Sequence, residues 1–126
     1  MIVANWKANG DTKKNYLWCE TFQNLLDKSS FNYVGISPSH IHFHQLNTFF
    51  KETNAMIGMQ DIYIEGGAIT GSISAEMASA DGCSFCLVGH SERREIFNED
   101  GNLISKKISS LLKNNINPIL CIGESF

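Results

Sequence analysis

The sequence predicts a parallel α/β fold, and three observations carry that prediction. Short apolar runs of strand length alternate with longer stretches whose apolar residues recur at helical spacing. The strand starts fall about 20–35 residues apart, which suits repeated βα units. Turn signals such as Asn9-Gly10, Asp81-Gly82 and Asn117-Pro118 separate the segments. Strands alternating with helices build a parallel sheet joined by right-handed crossovers. Five such strands fit an open doubly wound sheet or part of a barrel, and periodicity does not choose between them.

Ile2–Lys7 reads as the first strand. Asn9-Gly10 breaks it, and Asp11 or Thr12 can cap a helix carrying Trp18, Phe22, Leu25 and Leu26. Tyr33–Ser37 is the second strand, closed by Pro38, and Ser39 is a candidate cap for a helix with Leu46, Phe49 and Phe50. Ala55–Gln60 is the third strand. Gly66-Gly67 marks a loop, followed by a short helix near Ser74–Ala80 whose Asp81-Gly82 end suits a left-handed cap. Cys83–Gly89 is the fourth strand. Asn98 or Asp100 starts a helix with Leu103, Ile104, Lys107, Ile108, Leu111 and Leu112 on its periodic face, and Asn117-Pro118 ends it. Ile119–Gly123 is the fifth strand. No linker, repeat or low-complexity tract interrupts the 126 residues, which read as one domain.

Composition removes several classes of function. With 43% hydrophobic and 18% charged residues, the chain is too apolar and too weakly charged for a disordered segment. Its formal charge of −3 argues against a general nucleic-acid binder. No apolar run approaches the roughly 20 residues that cross a bilayer, so no membrane partner is expected. The first residues lack a basic start followed by an apolar core, so a cytoplasmic location is expected. In that setting Cys19, Cys83, Cys86 and Cys121 are expected as free thiols.

In a parallel α/β fold the chemistry gathers at the carboxyl ends of the strands. Three of these ends are chemically loaded here: Asn5-Trp6-Lys7, Gly89-His90-Ser91-Glu92-Arg93-Arg94 and Gly123-Glu124-Ser125. A cation at Lys7 can hold a phosphate or a developing oxyanion, and Asn5, two residues away on the same side, can anchor it. If a helical turn starts at Ser91, the His90 imidazole lies near backbone N–H groups carrying partial positive charge. That field favours a neutral ring able to donate a hydrogen bond to a carbonyl. Glu92, Arg93 and Arg94 fit ion pairs.

Other patterns carry less. On a strand His40, His42 and His44 share a face, and on a helix His40 and His44 do, so either geometry can seed a metal site. The run sits early in a predicted helix with no nearby Asp, Glu or Cys to complete the shell, and no metal is expected. Cys83-Ser84-Phe85-Cys86 matches C-x-x-C, yet residues three apart on a strand point to opposite faces. Gly66–Gly71 lacks a phosphate-loop or dinucleotide pattern, and no nucleophile elbow is present.

Asn5-Trp6-Lys7, Thr70-Gly71, Val88-Gly89-His90-Ser91-Glu92-Arg93-Arg94 and Cys121-Ile122-Gly123-Glu124 occur in that order. With them the chain resembles the N-terminal half of triosephosphate isomerases, from Ile2 to about Ser125. The resemblance implies a (β/α)8 barrel, here its first five parallel strands with crossover helices. It also implies a homodimer and, in glycolysis and gluconeogenesis, the interconversion of dihydroxyacetone phosphate and glyceraldehyde 3-phosphate through an enediolate, without metal or organic cofactor. Lys7 then matches the active-site lysine and Asn5 the substrate-side asparagine. His90 matches the electrophile that polarises the carbonyl and shuttles protons, with Ser91 and Glu92 as its supporting residues. Gln60 and the loop Gly67–Ser74 match the interlocking dimer loop, in which Thr70 reaches towards the partner. Ser72 departs from the glutamate many members carry after Thr-Gly.

A complete barrel of this type takes about 250 residues. The family's general base, a glutamate on a loop after strand six, has no counterpart here, nor do the phosphate-binding loops after strands seven and eight. Residues 1–126 are therefore expected to be inactive alone. The alternative expectation is a non-catalytic half-barrel that binds a phosphorylated ligand or a partner chain.

Overall fold

The computed structural model describes residues 1–27 and 29–123. Glu124 and Ser125, read from sequence as the end of the fifth strand, lie outside the described residues. The chain divides into two compact units, Met1–Gln60 and the remainder from Asp61 onward.

The first unit alternates strand and helix: β1 (Ile2–Asn5), α1 (Thr12–Leu25), β2 (Val34–Ser37), α2 (Phe43–Phe49) and β3 (Met56–Met59). β1 runs parallel to β2 with Val3 opposite Gly35 and Asn5 opposite Ser37. β2 runs parallel to β3 with Ile36 opposite Ile57. β1 stops two residues short of its predicted end because Lys7 turns into the left-handed region, at φ 53°. Asp11 caps α1 as the sequence suggests, its Oδ1 accepting from the Lys14 N–H at 2.9 Å. Ser39 does not cap the next helix through its side chain. The chain enters α2 through a 3-10 turn over His40–His42, in which the His42 N–H donates to the Ser39 carbonyl at 2.9 Å.

Aromatic rings build much of this unit. Trp6 meets Trp18 edge-on at 4.9 Å, Trp18 stacks on Phe22 at 4.6 Å, and Phe22 abuts both Phe31 and Phe50. Phe31, Phe43, Phe50, Ile36, Leu46 and Ile57 are buried among them. Each aromatic pair adds about 0.5–1.5 kcal/mol beyond the apolar area it covers.

The second unit holds α3 (Ala75–Ala80), β4 (Phe85–Val88), α4 (Ser91–Ile96), α5 (Gly101–Lys113) and β5 (Asn117–Leu120). β4 is buried throughout and runs parallel to β5, with Cys86 opposite Pro118 and Val88 opposite Leu120. Ser74 caps α3 by accepting from the Met77 N–H, and Gly82 leaves the helix at φ 81°, as Asp81-Gly82 predicts. Of the two candidate starts for α5, Asp100 is the cap: its Oδ1 accepts from the Leu103 N–H at 2.8 Å. Asn98 instead takes φ 55° in the turn between α4 and α5.

The end of α5 is also corrected. α5 ends at Lys113, and the chain reverses at Asn115 with φ 58°, so Asn117-Pro118 opens β5 rather than ending the helix. The predicted fifth strand, Ile119–Gly123, is shifted accordingly. Pro118 lacks an N–H, and it is accommodated because β5 is bonded on one side only among the described residues. Residues 65–72 form an exposed loop, closed at its base by the Tyr63 N–H donating to the Ile73 carbonyl at 2.8 Å. No helix among the described residues is long and apolar enough to cross a membrane.

Candidate active site

In the first unit the segment after β1 is held by side-chain amides. The Asn5 Oδ1 accepts from the Lys7 N–H at 3.0 Å. The Asn9 Nδ2 donates to the Trp6 carbonyl at 2.9 Å. Gln60, just beyond β3, donates through Nε2 to the carbonyls of Lys7, at 2.9 Å, and Ser37, at 3.0 Å. The Trp6 N–H also donates to the Ser37 carbonyl at 3.0 Å. A lysine at φ 53° carries backbone strain, and the bonds around it hold that conformation. The structure thus brings Asn5, Lys7 and Gln60 together, with the Lys7 side chain exposed at the end of the sheet. Sequence reasoning singled out Gln60 for a loop and missed its grip on Lys7, whose carbonyl lies 53 residues away along the chain.

In the second unit His90 follows β4 through Gly89 at φ 68° and caps α4. Its Nδ1 accepts from the Glu92 N–H at 3.3 Å and lies 3.4 Å from the Glu92 Oε2. These two contacts ask opposite things of Nδ1. The backbone N–H is fixed by the helix, whereas the carboxylate is half-exposed and solvated, so the backbone bond decides. The neutral ring then carries its proton on Nε2, a hydrogen-bond donor. His90, Ser91 and Glu92 thus stand together at the first turn of α4. Arg94 reaches back from α4: its Nε donates to the Gly89 carbonyl at 2.6 Å and its Nη2 to the Cys121 carbonyl at 3.3 Å.

Beneath this segment lies an ion cluster that the motifs did not reveal. Lys107, buried on the inner face of α5, reaches the Asp61 Oδ1 at 2.5 Å and the Glu99 Oε1 at 2.6 Å. Arg93 reaches Glu99 at 2.7 Å and Asp61 at 3.0 Å. Burial raises the pKa of Asp61 above the ordinary carboxylate value, against the pull of Lys107 and Arg93. Burial also works to raise that of Glu99, but hydrogen bonds from Lys107 and Arg93 outweigh it and hold this carboxyl below its usual value. The sequence signal was present, since Lys107 sits on the same helical face as Ile104 and Leu111.

Thr70 lies in the exposed loop 65–72. His40 and His42 occupy the 3-10 turn and His44 lies on α2. Among the described residues, no group of three or more His, Cys, Asp or Glu is placed to hold a metal ion. All four cysteines are free thiols. Burial pushes the Cys19 thiol up to about 11 and raises the thiols of Cys86 and Cys121 as well, so each of these three is a weaker nucleophile than an ordinary cysteine.

The chain matches the triosephosphate isomerase family over residues 1–126. It is 38% identical over 125 residues to a triosephosphate isomerase of Aquifex aeolicus strain VF5, covering 98% of this chain and 51% of that one. A triosephosphate isomerase of Roseiflexus sp. strain RS-1 is 37% identical over 126 residues, covering 99% and 50%. One of Francisella tularensis subsp. mediasiatica strain FSC147 is 34% identical, covering 99% and 49%. The chain spans about half the length of the curated relatives it matches. Its alternation of parallel strands and helices is that of the first five strands of a (β/α)8 barrel, the fold class expected from its motifs. The chain belongs to the triosephosphate isomerase family, a family of isomerases.

Proposed function

We propose that this chain supplies the electrophile and the anchoring lysine for the interconversion of dihydroxyacetone phosphate and glyceraldehyde 3-phosphate. The observation that carries the reading is His90. With Nδ1 engaged by the Glu92 N–H, the neutral imidazole presents Nε2–H as a donor to a substrate carbonyl. When a base removes the carbon-bound proton, electron density moves onto that oxygen. The same ring passes a proton between the two oxygens of the enediolate as it collapses. The Lys7 ammonium offsets the negative charge of the phosphate and the enediolate, and Asn5 orders the Lys7 backbone. Ser91 and Glu92 support the ring from the first turn of α4.

The proton-abstracting base is not assigned to any residue here, and no cofactor is invoked. The exposed loop 65–72, with Thr70 in it, supports a reading as the arm that a second copy receives in a homodimer. The second reading, a half-barrel that binds a phosphorylated ligand without turning it over, rests on the same Lys7 and His90 and on the unassigned base.

The test measures isomerisation and dihydroxyacetone phosphate binding by residues 1–126 and by the product of the native gene. Turnover by the gene product that falls by roughly 10²–10⁴-fold in His90→Gln supports the isomerase reading. Saturable binding without turnover in both supports the second reading. Robust turnover by residues 1–126 alone overturns the view that the base lies elsewhere.

A further inference from the structure

We infer that Arg94 is a positioning residue for His90, and this rests on the isomerase reading above. Both peptide groups flanking His90 are held by this one residue. The Arg94 backbone N–H donates to the His90 carbonyl at 3.1 Å. Its side-chain Nε donates to the Gly89 carbonyl at 2.6 Å, on the peptide that carries the His90 nitrogen. The second arm of the guanidinium reaches the Cys121 carbonyl at 3.3 Å, and the Cys121 N–H in turn donates to the Val88 carbonyl at 2.8 Å. Arg94 thus spans the carboxyl ends of β4 and β5 and pins the peptide between them.

The backbone has been shaped around this brace. Gly89 takes φ 68°, where other residues are strained, and a β-carbon placed on it would lie 2.8 Å from the Arg94 Nη2 and 3.1 Å from the Ile104 Cδ1. The guanidinium fills the space a side chain would take. Rotation of the Gly89–His90 peptide would swing the imidazole and break the bond from the Glu92 N–H that fixes its tautomer. Arginine suits the task because its planar fork bonds two carbonyls at once, and lysine offers only a point charge.

The test uses the native gene product and ¹⁵N-labelled protein, comparing wild type with Arg94→Gln and Arg94→Lys. His90→Gln assigns the ring signal, and Ile116→Val, at a buried position just before β5, controls for lost stability. Both Arg94 variants are expected to lose kcat by about 10- to 100-fold with KM changed less than about twofold. Their His90 ring nitrogens are expected to move from a single Nε2–H pattern to an average of the two tautomers. Ile116→Val should lower Tm and move neither reading. A lysine variant that restores both readings, or a glutamine variant that keeps both, overturns the brace. Absence of turnover in wild type would sink the isomerase reading instead, and the ring pattern alone would then decide on Arg94.

Discussion

Lys7 joins a left-handed backbone to the side chain that the proposed chemistry needs. A non-glycine residue there costs roughly 1–2 kcal/mol, and the amides of Asn5 and Gln60 hold it in place. Lys7→Gly is therefore expected to unfold at equal or higher urea concentration than wild type, with a gain of up to about 1 kcal/mol, while Lys7→Ala gains nothing. A glycine variant clearly less stable than wild type would show that the Lys7 conformation carries no strain. Gln60→Ala is expected to cost about 1–3 kcal/mol in the same assay, because it strips a donor from two carbonyls. Asn5, Lys7 and His90 stand out in the sequence as candidates because they are polar residues at or just beyond the ends of apolar strands. The work of Gln60 and Arg94 was not, because their partners are main-chain carbonyls, which every residue carries and no residue name reveals.

At the scale of elements, local chemistry decided most boundaries, and competition between neighbouring signals decided the rest. Asp11, Ser74 and Gly82 each do what their residue types suggest. Asn98 and Asp100 both suit a cap, and the sequence left the choice open. The fold uses Asp100 for the Leu103 N–H and Asn98 for a left-handed turn, a conformation that asparagine tolerates. Asp100→Ala is expected to lower stability by about 0.5–2 kcal/mol, and Asn98→Gly to change it by no more than a few tenths. Equal losses from both, measured by urea unfolding, would mean that the cap is not what starts α5. The shifted start of β5 has a similar origin. Asn117-Pro118 has the form of a helix stop, but Asn115 already reverses the chain, and Pro118 joins a strand bonded on one side among the described residues.

At the scale of the molecule, function and stability draw on different residues. The proposed chemistry uses strand ends, whereas the second unit is tied together by four charges from α4, α5 and the loops around them. Lys107 faces both carboxylates from a buried position, so Lys107→Met leaves Asp61 and Glu99 to share Arg93. Removing one member of a buried ion cluster costs about 3–5 kcal/mol near neutral pH. The pH dependence separates this loss from a packing defect. In wild type, Glu99 titrates below its unfolded value near 4.5, so its contribution is present above that pH and is lost as pH falls through the folded value. Asp61 runs the other way: its raised pKa favours the protonated form, stabilises at low pH and loses that contribution as pH rises through the folded value. Without Lys107 both carboxyls are expected to titrate above their unfolded values, so folding of the variant takes up protons. Its deficit against wild type should therefore be largest near neutral pH and shrink as pH falls towards about 4. Urea unfolding followed by far-ultraviolet circular dichroism across that range reads the difference directly. A deficit that stays constant or widens on acidification would mean that Lys107 acts through packing and not through its two ion pairs.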